Sequence, residues 1–198
     1  MKSRKAPPLR ADPAYLKAFA EIMRRIEHAL GKREGAKPVV VCVAGGAALH
    51  LYTGSRVSKD VDAKVMARFL PPDDLEVSYR DADGHARLLY FDTQYNDTYG
   101  LLHEDAYEEA LSIEVPGVDA SRLDVRLLAP LDLAVSKLSR YEVHDQEDIR
   151  ALAQAGLIDA KSLRRRAEEA LPSYVGDTRR VKASIGLAEK LVRESAPR

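Results

Sequence analysis

Two aspartates separated by one residue are the part of this sequence best suited to chemistry. Asp60 and Asp62 flank Val61 at the start of the segment Asp60–Val65. Residues i and i+2 of an extended strand point to the same face. Two carboxylates a few ångströms apart repel each other unless a cation lies between them. The pair therefore predicts a divalent-metal site, and a solvated pair at a strand edge is the alternative.

A glycine pair precedes the aspartates. The apolar segment Val39–Val43 predicts a strand buried on both faces, and Gly45 and Gly46 follow it. A helix of about two turns is expected next, ending near Thr53. Glycine lets another group approach the backbone closely, and the free N–H groups at a helix start favour phosphate. This order predicts a phosphate-binding turn beside the metal site, with an ordinary tight turn as the alternative. We expect His50, on the short helix, to be a helix-surface histidine.

Composition limits the class of protein. The chain has 198 residues, of which 45% are apolar and 31% charged, as in a globular protein with one sizeable domain. No apolar stretch approaches the length of a membrane span, and the basic N-terminus is followed by no apolar signal core. The single cysteine, Cys42, lies in the apolar strand and fits a reducing compartment. We therefore expect a cytoplasmic protein with no membrane association.

The net charge of zero is unevenly distributed along the chain. Residues 1–37 carry +6, residues 38–160 carry −11 and residues 161–198 carry +5. An acidic centre suits metal binding, and basic flanks suit contact with nucleic acid. Solvated helices are the alternative explanation for the flanks.

The order of elements predicts an α+β fold. Asp12 and Pro13 are suited to begin a helix that continues to Leu30. Strands are expected next, with a short helix at Asp105–Leu111, and the chain reads as helical from Pro130 onward. We predict a flexible basic leader at 1–11, a core at 12–128 and a helical C-terminal part at 129–198 that packs on the core.

The segment from Val39 to Val65 resembles the DNA polymerase beta-type nucleotidyltransferases. Their signature is an apolar strand, then Gly-Gly or Gly-Ser, then Asp-hydrophobic-Asp about one short helix later. Here the matching residues are Gly45, Gly46, Asp60 and Asp62. The intervening Arg-x-Ser-x-Asp-x-Asp, with Arg56 and Ser58, is most similar to the AbiEii-like branch, which contains toxins of toxin–antitoxin and abortive-infection systems.

A second group of charged residues lies in the helical part. Lys137 is expected in mid-helix on an apolar background, and Arg140 is three residues further on. Asp145 and Asp148 are expected at the start of the next helix. A lysine near a carboxylate can neutralise a triphosphate or orient an acceptor. The AbiEii-like branch has Lys-Leu, Arg and Lys-Asp-x-x-Asp-[Ile/Leu] after its sheet, with His144 here in place of the second lysine. A salt-bridge network between two helices is the alternative.

The resemblance implies a nucleotidyltransferase-like mixed sheet and an enzyme of the EC 2.7.7 type. It would use Mg²⁺, or Mn²⁺, to transfer NMP from an NTP to an acceptor hydroxyl. Metal ligands would be Asp60, Asp62 and a third acid, for which Asp124 is chosen over Asp92 and Glu114. The resemblance also implies which residues act in catalysis, namely Asp60, Asp62, Lys137 and Asp145. The residues implied to bind the nucleotide are Gly45, Gly46, Arg56, Ser58 and Arg140.

The branch also implies partners. RNA, in particular tRNA, is the expected acceptor, and an antitoxin protein is an expected partner. One alternative is a small-molecule enzyme of the aminoglycoside type, because the same motif occurs there. Another is a nucleotide-binding module or antitoxin that keeps the fold without turnover.

Overall fold

A computed structural model describes residues 5–31, 37–67, 71–98 and 100–197. The chain divides into two compact units. The first comprises Met1–Tyr95 and Ala110–Leu127, and holds every strand of the described residues. The second comprises Asn96–Glu109 and Leu128–Arg198 and is helical. A mixed α+β fold with a nucleotidyltransferase-like sheet is thus confirmed.

The described residues of the first unit form one six-stranded mixed sheet and two helices. The elements in chain order are α1 Pro13–Ala29, β1 Val39–Val43, α2 Gly45–Thr53, β2 Asp60–Val65, β3 Glu76–Arg80, β4 Ala86–Asp92, β5 Leu111–Ser112 and β6 Leu123–Leu127. The strand order is β3-β4-β2-β1-β6-β5. The β1–β6 and β2–β4 pairs are parallel, and the remaining pairs are antiparallel.

Strand β1 is the apolar segment expected from the sequence, and four of its five residues are buried. The next strand, β2, alternates: Val61 and Ala63 are buried, whereas Asp60 and Asp62 are partly exposed on the opposite face. A period of two is the pattern of a strand with one face in the core. The apolar residues therefore fix the face of β2, and the aspartates must point the other way.

Helix α1 begins where the sequence predicts. The Asp12 side chain accepts hydrogen bonds from the backbone N–H groups of Ala14 and Tyr15, which otherwise lack partners at a helix start. The apolar stripe of α1 packs against β3 and β4. Helix α2 is capped by Gly54, which has a left-handed φ of 66° and donates its N–H to the carbonyl of His50.

The helices of the second unit that the structure describes lie in the part of the chain after β6. They are α3 Pro130–Ser136, α4 Val143–Gln154, α5 Ala160–Ala170 and α6 Thr178–Ser195, with a short 3-10 turn at Leu171–Ser173. A buried guanidinium ties two segments of this unit to α5. Arg166 donates to both carboxylate oxygens of Asp132, at 2.7 and 3.0 Å, and to Glu109 at 2.7 Å.

Two local predictions are wrong or only partly covered. Residues 104–109 form turns instead of the expected helix, and β5 begins at Leu111. Residues 1–4 of the predicted leader lie outside the described residues. From Lys5 onward the leader makes backbone contacts: Lys5 forms a β-bridge with Ser112, and Arg10 donates its N–H to the carbonyl of Leu51.

No helix within the described ranges combines the length and the apolar character that crossing a bilayer requires.

Candidate active site

The carboxylate of Asp62 lies against the backbone of Gly45. Gly45 has a left-handed φ of 55°, and a Cβ built on it would overlap Asp62 Oδ2 and lie 2.8 Å from Asp62 Cγ. The backbone also joins the two segments, because Ala44 donates its N–H to the Asp62 carbonyl at 2.8 Å. Only glycine allows both the dihedral angle and the close approach. The glycine turn and the aspartate pair are therefore brought together as the sequence predicts.

The second glycine faces the loop that leads into β2. A Cβ on Gly46 would lie 2.7 Å from Ser58 Oγ and 3.4 Å from a guanidinium nitrogen of Arg56. Ser58 is buried and donates its hydroxyl hydrogen to Asp60 Oδ1. The predicted nucleotide-binding residues Gly45, Gly46, Arg56 and Ser58 thus surround the start of α2, beside the aspartates.

A third carboxylate lies next to Asp62 across the sheet. In the parallel β2–β4 ladder, Asp60 is the partner of Tyr90 and Asp62 is the partner of Asp92. Partners in neighbouring strands, about 4.8 Å apart, point to the same face. Asp92 was the rival candidate for the third acid, and it is the one that the sheet register brings beside Asp62.

The structure does not bring Asp124 to the aspartate pair. Asp124 is the β6 partner of Val40, whereas Asp62 is bonded to Ala44, which lies four residues after Val40 and just beyond the end of β1. Four strand residues span roughly 13 Å. Both oxygens of Asp124 are also occupied, by the Ser112 hydroxyl at 2.7 Å and the Arg126 guanidinium at 2.8 Å. The register thus separates this residue from Asp60 and Asp62 within the sheet.

The other rival, Glu114, is an exposed residue beyond β5. Its carboxylate forms an ion pair with Lys5 Nζ at 2.9 Å. That contact ties the N-terminal segment to the far edge of the sheet, on the opposite side of β1 from β2. Glu114 is therefore also outside the group around Asp62.

Oxygen ligands for a hard divalent cation are available on β2 and β4. Asp60, Asp62 and Asp92 are carboxylates on one sheet face, and the space left by the missing Gly45 side chain admits Asp62. These are ligands that Mg²⁺ and Mn²⁺ accept. Their oxygens are not gathered to within 4.8 Å of one another, so shared coordination requires rotation of the side chains. The residue types therefore fit the metal.

One compact group of ligand-type side chains is found in the described part of the chain, at the β3–β4 hairpin. It consists of Asp81, Asp83 and His85. Asp81 accepts hydrogen bonds from the backbone of the other two residues and from Arg87 Nε. Because these bonds close the hairpin turn, the turn itself accounts for the cluster.

The helical unit contains a buried cluster of the charged residues singled out in the sequence. Lys137 Nζ lies 2.6 Å from Asp148 Oδ2 and 3.9 Å from Asp145 Oδ1. Lys137 is 8% exposed and each aspartate 1%. Burial raises the pKa of Asp145. Hydrogen bonds from Arg140 and the Glu142 N–H, together with the nearby cations, lower it by more, so the pKa lies below its usual value. The cluster is thus a buried network of ion pairs.

The turn between α3 and α4 makes this cluster possible. Helix α3 ends at Ser136, so the expectation that Lys137 lies in mid-helix is wrong; it is the C-cap. Tyr141 then adopts a left-handed φ of 52°, which is unusual for a residue with a Cβ. The reversal lets Arg140 bind both oxygens of Asp145 at 2.8 Å. Asp145 in turn accepts the Glu142 N–H in a capping box at the start of α4.

Sequence reasoning missed His50. It is 2% exposed, not a surface residue, and its Nδ1 lies 2.6 Å from the carbonyl of Ser55. Its ring meets that of Tyr15 edge to face at a centroid distance of 4.5 Å. The pKa of His50 is below its usual value, because burial lowers it by more than the Ser55 carbonyl and the charge of Asp12 raise it. The apolar character of α2 around His50 was the available signal for its burial.

The fold and the site together define a class of protein. A mixed sheet, a glycine turn after its central apolar strand and carboxylates on the adjacent strand are the features of a nucleotidyltransferase. A family model described as a nucleotidyltransferase of unknown function (DUF6036) matches residues 17–187, and the chain belongs to that family. No curated protein matches the chain.

Proposed function

We propose that this protein transfers a nucleoside monophosphate from an NTP to an acceptor hydroxyl, an activity of the EC 2.7.7 type. The observation that carries the proposal is the packing of the Asp62 carboxylate against the left-handed Gly45, with Asp60 and Ser58 beside it. Family membership supports the same class of reaction. Mg²⁺, for which Mn²⁺ could substitute, would neutralise the triphosphate when bound to Asp60 and Asp62.

The residues of the chain supply the remaining functions. The N–H groups at the start of α2 and the Ser58 hydroxyl would bind phosphate, with the Arg56 guanidinium stabilising negative charge. The acceptor oxygen attacks the α-phosphorus, the bond to the pyrophosphate oxygen breaks, and pyrophosphate leaves. A carboxylate takes the hydroxyl proton. We assign the third-acid position to Asp92 because of its register with Asp62.

In the helical unit, the proposed roles of Lys137 and Asp145 in catalysis and of Arg140 in nucleotide binding stay predictions. Their buried network offers a second explanation for these residues, namely the stability of α3 and α4. Arg140→Lys separates the two roles. The single ammonium keeps a charge but loses the bidentate bond. A loss of NTP binding with unchanged thermal stability would support the nucleotide-binding role, and the reverse would support the structural one.

The test of the activity uses purified protein, Mg²⁺, each of the four α-labelled NTPs and total RNA. We expect transfer of label to RNA, loss of transfer on adding EDTA, and loss in Asp60→Asn and Asp62→Asn. Asp73→Asn, at an exposed position outside the sheet, is the matched control. No transfer of label from any NTP would refute the proposal, as would full activity of Asp60→Asn.

The third acid is tested by a second matched pair. Asp92→Asn should abolish transfer, whereas Asp124→Asn should retain it, since Asp124 is held by Ser112 and Arg126 away from Asp62. Loss of activity in Asp124→Asn alone would return the third position to Asp124.

We further propose that the acceptor is RNA, in particular tRNA, and that the protein is a toxin of the AbiEii-like type with an antitoxin partner. Support comes from the resemblance of the motifs and from exposed cations at the start of α6, including Arg179, Arg180 and Lys182. Growth arrest on expression, absent in Asp60→Asn and relieved by a neighbouring gene product, is the expected result. Growth without arrest would refute the toxin role.

A small-molecule acceptor of the aminoglycoside type is the second candidate. The acids on the exposed face of β2, β3 and β4, namely Asp60, Asp62, Glu76 and Asp92, favour a polycation. Label transfer to an aminoglycoside but not to RNA, with drug resistance on expression, would establish this alternative. Nucleotide binding in a calorimeter with no product from any acceptor would instead indicate a binding module or antitoxin.

A further inference from the structure

The hydrogen bond from His50 to Ser55 fixes the tautomer of a buried histidine. A backbone carbonyl only accepts, so Nδ1, which lies 2.6 Å from the Ser55 carbonyl oxygen, must carry the hydrogen. In the neutral ring, Nε2 then carries no hydrogen, and its lone pair can accept a hydrogen bond. His50 is 2% exposed, and Nε2 has no hydrogen-bond partner in the part of the chain that the structure describes.

The ring of Tyr15 packs against that of His50. The Tyr15 side chain is completely buried, and its hydroxyl has no hydrogen-bond partner among the described residues. The Tyr15 and His50 rings are in edge-to-face contact at 4.5 Å. A buried hydroxyl and a buried imidazole nitrogen are rarely left unsatisfied, and a single internal water commonly bridges such groups. A water that accepts from Tyr15 Oη and donates to His50 Nε2 would satisfy both.

The Ser55 carbonyl lies at the start of the loop that carries two candidate site residues. Before it, the chain is held by the Gly54 N–H bond to the His50 carbonyl and by a 2.7 Å hydrogen bond between the hydroxyl groups of Thr53 and Ser55. After it come Arg56 and Ser58, which face Gly46 at the start of α2. His50 therefore holds the loop at the point where it turns toward the phosphate and metal ligands.

We propose that His50 is a positioning residue for the loop at residues 55–58, with Tyr15 as its partner through one internal water. Its Nδ1–H orients the Ser55 carbonyl, and this sets the approach of Arg56 and Ser58 to Gly46. Tyr15 holds the imidazole in the tautomer that donates to Ser55. This role rests on the proposed function for its effect on nucleotide binding, but the order of the loop does not depend on any activity.

Two amide substitutions separate the two ring nitrogens. In His50→Asn, the amide nitrogen takes the place of Nδ1 and can still donate to Ser55. In His50→Gln, the longer side chain carries the amide to the place of Nε2, so the Ser55 bond is lost. His144→Gln is the control, because His144 is 77% exposed at its side chain. Tyr15→Phe removes the hydroxyl and keeps the ring.

The first measurement is amide hydrogen exchange, which needs no substrate. His50→Gln should speed exchange at residues 56–58 by at least about tenfold, as expected when a local opening becomes easier, and leave the exchange of β1 and β6 unchanged. His50→Asn should stay near wild type, and Tyr15→Phe should fall between them. The ¹⁵N spectrum of wild-type His50 should report the neutral Nδ1–H tautomer.

The second measurement is binding of MgATP and the KM for NTP. His50→Gln should weaken MgATP binding and raise the KM for NTP, each by about tenfold, because displaced positioning groups lower the affinity of the site. His50→Asn should show only a small part of this loss. Unchanged exchange at residues 56–58 in His50→Gln, or an Nε2–H tautomer, would overturn the proposal. Tyr15→Phe equal to wild type would overturn the bridging water. If wild-type protein binds no nucleotide, the proposed function fails while the exchange data still decide the role of His50.

Discussion

Replacing Gly45 by alanine tests the packing on which the candidate site depends. The new Cβ would meet two penalties. The φ of 55° is in the left-handed region, and the methyl group would overlap Asp62 Oδ2 and lie 2.8 Å from Cγ. The Asp62 side chain must therefore rotate away from the turn. We expect Gly45→Ala to lower both the stability of the protein and its affinity for divalent metal and NTP.

The size of the effect follows from the two penalties taken separately. A left-handed alanine costs about 1–2 kcal/mol relative to glycine. The forced displacement of Asp62 adds roughly 1–3 kcal/mol, the usual range for overpacking. Gly84 is a matched control, since it has a φ of 81° and nothing within 4 Å of its would-be Cβ. Gly84→Ala carries the first penalty alone.

The assay compares the two variants with wild type by thermal unfolding followed by circular dichroism. The difference of about 1–3 kcal/mol between them corresponds to roughly 2–12 °C in Tm for a chain of this size. Transfer of NMP should fall at least about a hundredfold in Gly45→Ala, as expected when a site group is displaced by about 1 Å. Equal Tm values for the two variants, with full activity of Gly45→Ala, would refute the close approach of Asp62 to the glycine turn.

Three further predictions concern the helical unit. Lys137→Met should destabilise it by about 3–5 kcal/mol, because it removes the ammonium that lies 2.6 Å from the buried Asp148 carboxylate. The double variant with Asp148→Leu should recover most of this loss on denaturant titration. The pKa of Asp145 is lowered in the folded state, so the stability that this carboxylate contributes is complete above about pH 4 and is lost as the pH falls through the folded-state pKa. Below about pH 4, the free energy of unfolding should therefore fall less steeply with pH in Asp145→Asn than in wild type, and equal slopes would contradict this. Arg166→Lys should cost about 1.5–3 kcal/mol because it breaks a buried bidentate bond, against less than about 1 kcal/mol for Arg164→Lys at the surface.

The parts of the site that are close in sequence were predictable from local patterns. The spacing of Asp60 and Asp62 places both on one strand face, and the apolar Val61 between them selects which face. Helix α1 begins after Asp12, and helix α2 ends at Thr53, both as expected. These features depend on backbone period and local hydrogen bonds, which a single segment contains in full.

Long-range pairing could not be predicted in the same way. Asp92 follows Phe91 at the end of β4, and Asp124 lies between Leu123 and Val125 in β6. Neither local pattern shows which of the two acids lies beside Asp62. The parallel pairing of β2 with β4 brings Asp92 beside Asp62, and the pairing of β6 with β1 holds Asp124 four residues further along. Register is set by the packing of whole strands and by the connections between them. Which of the two acids lies beside Asp62 therefore depends on the assembled sheet.

The sequence by itself therefore determined the class of fold, the glycine turn and the aspartate pair, because the periods of strands and helices depend on residues that are close in sequence. Only the tertiary structure shows that Asp92, and not Asp124, lies beside Asp62 in the sheet. It also decided that His50 is buried against Tyr15 and that Lys137 is paired with Asp148. Each of these contacts joins residues from different elements, and burial of a polar group is decided by what packs over it, which no single segment records.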